Sequence, residues 1–142
     1  MDYSKHPIIQ QYLIWNEFGK TIGMSFTILE KGVVEYQLTI EKKHLATLHA
    51  AHGGVILSLL DAAVGVACLS TVCEENRIAS TVSLSTNFLS PAILNDTLTA
   101  YSEVIKQGKT VVFVEAKIKN QNGKIIATAL ATLNTYPIDK IS

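Results

Sequence analysis

The stretch HAAHGGVILSLLDAAVGVACLS, residues 49–70, decides the fold of this chain. From Gly54 onward it is apolar on nearly every side, which is typical of a buried helix rather than a surface helix. About eighteen residues of helix span roughly 27 Å. One charged residue, Asp61, stands at its centre, and strand-like segments flank it, which argues against a membrane-spanning segment. We therefore predict a long helix at the centre of the domain.

The segments on either side of this helix predict β-strands. Residues 21–41 alternate between apolar and polar side chains, and Lys31-Gly32 breaks the run into two strands. Four further strands are predicted at 77–88, 97–106, 110–120 and 124–135, with a hairpin turn at Asn122-Gly123. Hairpin connections favour an antiparallel sheet, and the simplest way to bury the helix is to curl that sheet around it. The predicted class is α+β, in a single domain over residues 1–142 that opens with a short helix at about 7–18.

The strand at 77–88 alternates almost without error. One face is predicted to belong to the core and the other to carry small hydrogen-bonding groups. The core face holds Ile78, Val82, Leu84 and Phe88, and the polar face holds Thr81, Ser83, Ser85 and Asn87.

Composition excludes several classes of protein. Twelve basic and twelve acidic residues in a chain of 142 leave no net charge, which argues against a general nucleic-acid binder or a membrane-surface module. Cys68 and Cys73 are the only cysteines, so a disulfide-framed secreted domain is excluded, and we expect both to be buried small hydrophobes. The first fifteen residues lack the features of a signal peptide, which predicts a cytoplasmic protein.

Asp61 is the chemical anomaly of the helix. It is the only acidic or basic residue between His52 and Cys73, and Leu60 and Ala62 flank it. Because an unpaired carboxylate is costly to bury, Asp61 is a candidate general base or nucleophile in a cleft. The alternative is a structural aspartate that bonds a neighbouring turn or faces solvent.

The motif His52-Gly53-Gly54 precedes the helix. Two glycines leave the first backbone N–H groups of the helix unshielded, and a helix N-terminus favours negative charge, so these groups are suited to an oxyanion hole. Gly53 and Asp61 are eight residues apart, roughly 12 Å along one helix, which is too far for both to act on one carbonyl group. Two antiparallel copies of the helix would bring them together in a two-fold dimer. The small residues Gly54, Ser58, Asp61 and Gly65 form a seam suited either to that approach or to packing against the chain's own sheet.

These residues carry a family resemblance. The segments HGGVILSLLD at 52–61, STVSLSTNFLSP at 80–91 and KQGKT at 106–110 resemble the hot-dog-fold acyl-CoA thioesterases of the phenylacetate-pathway type, over about residues 20–135. The resemblance implies an antiparallel sheet wrapped around a long helix, in dimers that pair into tetramers. It also implies an acyl-CoA or acyl carrier protein thioester as substrate, and no cofactor beyond the coenzyme A of that substrate.

The resemblance also implies roles for individual residues. The Gly53 N–H would polarise the thioester carbonyl, Asp61 of the partner chain would activate water or attack directly, and Thr81 would orient the water. Further candidates for substrate binding lie around the helix start, on the strand at 77–88, and near the pantetheine arm and nucleotide of coenzyme A: His52, Gly54, Ser58, Asn87, Lys106, Gly108 and Lys109. Ser58, one turn before Asp61, is placed to hydrogen-bond it, and His52 is expected to cap or orient the start of the helix.

The chain departs from the family at one point. Many relatives carry an Asn several residues before the His-Gly-Gly motif, and this chain has none there; either His44, Thr47 or His49 replaces it, or the role is absent. His49 and His52 have a spacing that a metal could use, but no Cys or carboxylate stands at ligand spacing, so no metal site is predicted. The alternative functions are a hot-dog hydratase or dehydratase acting on enoyl thioesters and a non-catalytic acyl-CoA-binding protein.

Overall fold

Six antiparallel strands form one curved sheet in the computed structural model, which describes residues 1–141. The helices are α1 (Pro7–Trp15), α2 (Glu17–Ile22) and α3 (Gly53–Val72), and short 3-10 turns join several elements. The strands are β1 (Ser25–Glu30), β2 (Val33–Thr39), β3 (Arg77–Phe88), β4 (Thr97–Gln107), β5 (Val111–Lys119) and β6 (Ile125–Pro137). Their order across the sheet is β1-β2-β4-β5-β6-β3, so β1 and β3 are its edges.

The long helix α3 lies in the hollow of this sheet, as predicted. Its apolar side packs against the inner faces of β2, β4, β5 and β6 in one core cluster that includes Leu59, Leu60, Ala63 and Val64. By length and composition α3 could cross a membrane, but most of it is buried inside the fold, which identifies it as the core helix. The hot-dog architecture expected from the sequence is therefore confirmed.

The N-terminal helix differs from the prediction. Residues 7–18 do not form one helix, because Asn16 leaves helical geometry and its side chain accepts a hydrogen bond from the Gly19 N–H, which starts α2. The second helix then runs to Ile22 and ends at Gly23, whose positive φ of 92° suits glycine. The first strand consequently begins at Ser25 and not near residue 21.

A β-bulge in β3 changes the predicted faces of that strand. Thr81 pairs with Leu133 and Ser83 with Thr132, so Val82 has no partner on β6. Residues that stand directly opposite each other in an antiparallel pair share a face, and Leu133 is buried against the core. Thr81 therefore faces α3, which corrects its predicted place on the opposite face. After the bulge Leu84 is the residue that faces α3, opposite Ala131.

Two of the residues predicted on the core face of β3 are exposed instead. Val82 is 68% exposed because it sits in the bulge, and Phe88 is 56% exposed at the end of the strand. Ser83, Ser85 and Asn87 lie on the outer face of the sheet, away from α3.

Candidate active site

Asp61 of α3 and Thr81 of β3 form a hydrogen-bonded polar pair. The Thr81 Oγ1 donates a hydrogen bond to Asp61 Oδ1 at 2.7 Å. This contact joins the middle of α3 to the edge strand β3, and it exists because the bulge at Val82 turns Thr81 toward the helix. One carboxylate oxygen is thereby held in place, and Oδ2 accepts no recorded hydrogen bond within residues 1–141.

Asp61 is not buried in the single chain, contrary to the sequence expectation. The sheet covers one side of α3, and Asp61 lies on the uncovered side, which also carries Gly53, Gly54 and Leu57. An apolar composition on nearly every side therefore does not mean burial on every side here. The uncovered strip is narrow and made largely of small residues.

The start of α3 has one backbone donor to spare. The His52 Nδ1 accepts a hydrogen bond from the Gly54 N–H at 2.8 Å, which caps the helix and confirms the capping prediction for His52. The Gly53 N–H makes no recorded hydrogen bond among residues 1–141, and the residue is exposed. The Phe88 ring lies beside it, 3.6 Å from where a Cβ of Gly53 would stand. Of the two glycines, Gly53 is thus the one with an available donor.

The single chain does not bring this donor to Asp61. Both residues belong to α3, eight positions apart, which corresponds to roughly 12 Å along the helix axis. Ser58, between them, donates to the Gly54 carbonyl oxygen at 2.8 Å, so the predicted bond from Ser58 to Asp61 is not formed.

Four predicted substrate-binding residues lie away from Asp61. Lys106 is at the end of β4, three strands from β3, or about 14 Å at the usual strand spacing. Gly108 and Lys109 form the following turn, in which the Gly108 N–H donates to the Val111 carbonyl and a Cβ on Gly108 would stand 2.8 Å from that oxygen. Asn87 faces the outer side of the sheet. Gly108 thus has a structural reason to be glycine, and the substrate contacts of the four residues stay predictions.

The histidine candidates for the missing Asn divide into two kinds. His44 is buried, its Nδ1 accepts from the Glu41 N–H at 2.9 Å, and its Nε2 lies 2.7 Å from the Ile22 carbonyl oxygen. Both ring nitrogens are therefore used in holding the loop together, so His44 is not available to replace the missing Asn. His49 is exposed, and the Thr47 hydroxyl accepts from the Ala50 N–H at 3.1 Å. Within residues 1–141 no group of three potential metal ligands comes together.

Both cysteines are buried, as predicted. Burial raises the pKa of the Cys68 thiol to about 12, so this thiol stays protonated at neutral pH and is a poor nucleophile. Burial also raises the pKa of Cys73.

The sequence analysis missed Tyr12 of α1, which lines the same cavity as Asp61. Its hydroxyl lies 3.4 Å from the Tyr36 hydroxyl, and Asn16 Nδ2 donates to that second oxygen at 3.2 Å. Burial raises the pKa of Tyr12; the hydrogen bond with Tyr36 opposes this shift, and the charge of Asp61 adds to it. Tyr12 is therefore a neutral wall of the site at physiological pH. Its helical spacing with other apolar residues gave no signal beyond core packing.

The cavity itself has a volume of about 480 Å³ and lies between α1, α3 and β3. Asp61 and Thr81 stand in its wall, and Tyr12 and Trp15 of α1 cover it from the side. A wider depression of about 730 Å³ on the outer face of the sheet is lined by Tyr101 and Lys117 and contains neither Asp61 nor Gly53. The chemistry of the described residues therefore points to the smaller cavity.

Comparisons with known proteins agree with this geometry. Residues 48–127 match the family model described as the thioesterase superfamily. The acyl-coenzyme A thioesterase PaaI of Escherichia coli is 32% identical over 109 residues, which cover 77% of this chain and 75% of that protein. Human acyl-coenzyme A thioesterase 13 is 28% identical over 131 residues, or 89% and 91% of the two chains.

Solved structures give the same result. The E. coli PaaI structure superimposes with a TM-score of 0.84 at 26% identity and covers 96% of each chain. A Streptococcus mutans protein solved with bound acetyl-CoA has a TM-score of 0.73 at 29% identity, over 80% of this chain and 89% of that one.

Proposed function

The chain belongs to the thioesterase superfamily and is a thioester hydrolase, and from that premise we propose that it hydrolyses acyl-coenzyme A at two equivalent sites of a homodimer. The observation that carries the proposal is the arrangement along α3. An exposed carboxylate is fixed by Thr81, and an exposed backbone donor with no recorded partner lies at the helix start, about 12 Å away. The names of the relatives and the acetyl-CoA bound to the S. mutans protein support coenzyme A as the carrier.

The edge strand β3 supports the dimer. It pairs with β6 on one side only, and it is twelve residues long with exposed apolar side chains at Val82 and Phe88. A long edge strand with unpaired backbone N–H and C=O groups invites pairing with another strand. A second copy of β3 would cover this edge, and the same two-fold axis would place the two copies of α3 antiparallel beneath it.

The register of such a dimer agrees with the site. Within one chain Phe88 lies beside Gly53, and Thr81 lies beside Asp61. A two-fold axis that passes close to Leu57, midway between Gly53 and Asp61 on α3, and close to Leu84, midway between Thr81 and Phe88 on β3, would put Gly53 of one protomer opposite Asp61 of the other. One axis thus serves both the strand edge and the helix face.

In the proposed reaction, Asp61 takes a proton from water, and the resulting hydroxide attacks the thioester carbonyl carbon. The Gly53 N–H of the other protomer donates to the oxyanion that forms. Collapse of the tetrahedral intermediate breaks the carbon–sulfur bond, and the coenzyme A thiolate takes the proton back from Asp61. Thr81 holds Oδ1 and leaves Oδ2 for the water. Direct attack by Asp61, through an anhydride that water then hydrolyses, uses the same contacts and remains the alternative.

Further parts of the proposal concern the setting of the enzyme. We expect the dimers to pair into tetramers and the protein to be cytoplasmic. We expect no cofactor other than the coenzyme A of the substrate. An acyl carrier protein is the alternative carrier, and a comparison of the two thioesters with the same acyl group decides between them.

The substitution Asp61→Asn tests the proposal. It removes the base but keeps a side-chain oxygen for Thr81, so we expect a folded dimer whose kcat falls by about 10²- to 10⁴-fold. Thiol release from acyl-CoA measures the activity, and sedimentation measures the assembly. Glu115→Gln on the outer face of the sheet is the matched control and should keep the parent rate. An Asp61→Asn enzyme that works at the parent rate would refute the assignment.

The two alternative functions make different predictions for the same samples. A hydratase would add water to enoyl-CoA without releasing thiol, and a binding protein would retain acyl-CoA unchanged. The single chain gives the hydratase no support, because no histidine of residues 1–141 lines the cavity that contains Asp61.

A further inference from the structure

We infer that the cavity between α1, α3 and β3 binds the acyl group, and that it selects an uncharged, apolar acyl chain of medium length. This inference rests on the proposed thioesterase function and adds the substrate class to it. The cavity is the natural place for the acyl chain because its wall contains Asp61 and Thr81, the two groups that would face the scissile carbonyl.

Most of the residues that line the cavity beyond these two groups are apolar. Helix α1 contributes three lining residues, Ile8, Tyr12 and Trp15. Helix α3 contributes Ala62, Gly65 and Leu69, and β3 contributes Ile78 and Ala79. The volume of about 480 Å³ is roughly three times that of an apolar cavity of about 150 Å³, which holds one benzene molecule. There is consequently room for more than a short acyl group.

The cavity has a direction. Asp61 stands at one end, and Leu69 lies eight residues further along α3, roughly 12 Å away. Strand β3 runs antiparallel to α3 here. At one end Thr81 bonds Asp61, and at the other end Ile78 packs in a small apolar cluster with Leu69 and Ile8. An acyl chain whose carbonyl lies at Asp61 would run along α3 toward this cluster.

The cavity offers no partner for a negative charge on the acyl group. No lysine, arginine or histidine of residues 1–141 lines it, and Asp61 is the only carboxylate in its wall. A carboxylate at the far end of an acyl chain would therefore be desolvated without compensation. The hydroxyls of Ser80 and Tyr136, which bond each other at 2.8 Å, are its other polar wall groups besides Thr81 and the Tyr12 phenol.

Gly65 controls how much of the cavity is open. It lies one turn after Asp61 in the wall, and a Cβ added there would meet no atom within 4 Å. A larger side chain at this position would therefore project into the cavity without a clash inside the chain. Leucine is also a better helix former than glycine, so Gly65→Leu should not weaken α3.

The test compares kcat/KM for acetyl-, butyryl-, hexanoyl-, octanoyl- and adipoyl-CoA with the full-length protein. We expect kcat/KM to rise about fourfold per buried methylene group up to octanoyl. Adipoyl has the same number of carbons as hexanoyl but ends in a carboxylate, and we expect it to be roughly a hundredfold poorer.

Two variants locate the acyl chain. Gly65→Leu should lower the octanoyl-to-acetyl ratio of kcat/KM at least tenfold, since only the longer chain reaches the filled space. Trp15→Ala removes a wall that is 48% exposed and should lower the same ratio severalfold. Ile14→Ala, on the same helix but outside the cavity, is the matched control and should keep the parent ratio. Sedimentation of each variant checks that the assembly is unchanged.

The outcomes separate the two levels of the proposal. If the parent enzyme hydrolyses these substrates without a length preference, prefers adipoyl, or keeps its ratio in both Gly65→Leu and Trp15→Ala, the acyl group lies elsewhere and the thioesterase function still stands. If none of the five thioesters releases thiol, the proposed function fails and the inference fails with it.

Discussion

In the proposed reaction Gly53 contributes a backbone group and not a side chain to the site. Its N–H is the first of α3, it makes no recorded bond within residues 1–141, and His52 leaves it uncovered by bonding the next N–H instead. In the proposed reaction the function depends on single atoms: one N–H, one carboxylate oxygen and one hydroxyl. The Thr81 hydroxyl donates to Asp61 and would act through it, as a positioning group.

The substitution Gly53→Pro removes that N–H with little structural change. Proline is tolerated at the first position of a helix, and His52 already has the φ of −62° and ψ of 136° that a residue before proline prefers. We expect the variant to fold and its kcat to fall about 10²- to 10³-fold, as for the loss of one oxyanion donor. Gly53→Ala keeps the N–H and places its Cβ 3.6 Å from Phe88, an ordinary contact, so it is the control. Equal activities of the proline and alanine variants would exclude an oxyanion role for Gly53.

Helix α3 and strand β3 are the elements that assemble the site. The helix carries the donor and the carboxylate at fixed separation, and the strand supplies Thr81 because its bulge at Val82 reverses the alternation of faces. The bulge thus decides that Thr81 meets Asp61, since an unbulged β3 would turn Thr81 away from Asp61.

The cap of α3 can be tested separately from catalysis. His52→Ala leaves the Gly54 N–H without its partner, and we expect the free energy of unfolding to fall by about 1 kcal/mol. His52→Asn restores a good capping side chain and should recover most of this loss. Urea unfolding measures both, and an alanine variant as stable as the parent would show that the cap contributes nothing.

At the scale of the whole molecule, the proposed dimer would give each chain one half of each of two sites. The rigid helix keeps Gly53 and Asp61 apart, and the long edge of β3 is open to a second copy. The proposed dimer would therefore both complete the chemistry and cover the open edge of β3.

Mixing two inactive variants tests this sharing. In a heterodimer of Asp61→Asn with Gly53→Pro, one site receives both defects and the other receives none. Random pairing makes half of the dimers heterodimers, so we expect roughly a quarter of the parent activity to return. Co-expression with two affinity tags followed by thiol-release assays measures this. A mixture no more active than its components would show that each site is built within one protomer.

The sequence by itself determined the elements and the chemistry. The apolar run of α3, the alternation of the strands and the turn at Asn122-Gly123 are local patterns, and local patterns predict local structure. The strand bounds agree with the structure to within about two residues except at β1, where α2 extends to Ile22. The family motif likewise singled out Gly53, Asp61 and Thr81, because each lies in a short segment that can be read along the chain.

Only the tertiary structure decided which side chains meet. The bulge that turns Thr81 toward Asp61, the burial of His44 against the Ile22 carbonyl, and the placement of Tyr12 and Trp15 over the cavity join residues that lie far apart in sequence. Such contacts depend on strand register and on the packing of one element against another. A shift of one residue in register moves a side chain to the opposite face. No local pattern in β3 predicted the shift that the bulge at Val82 introduces.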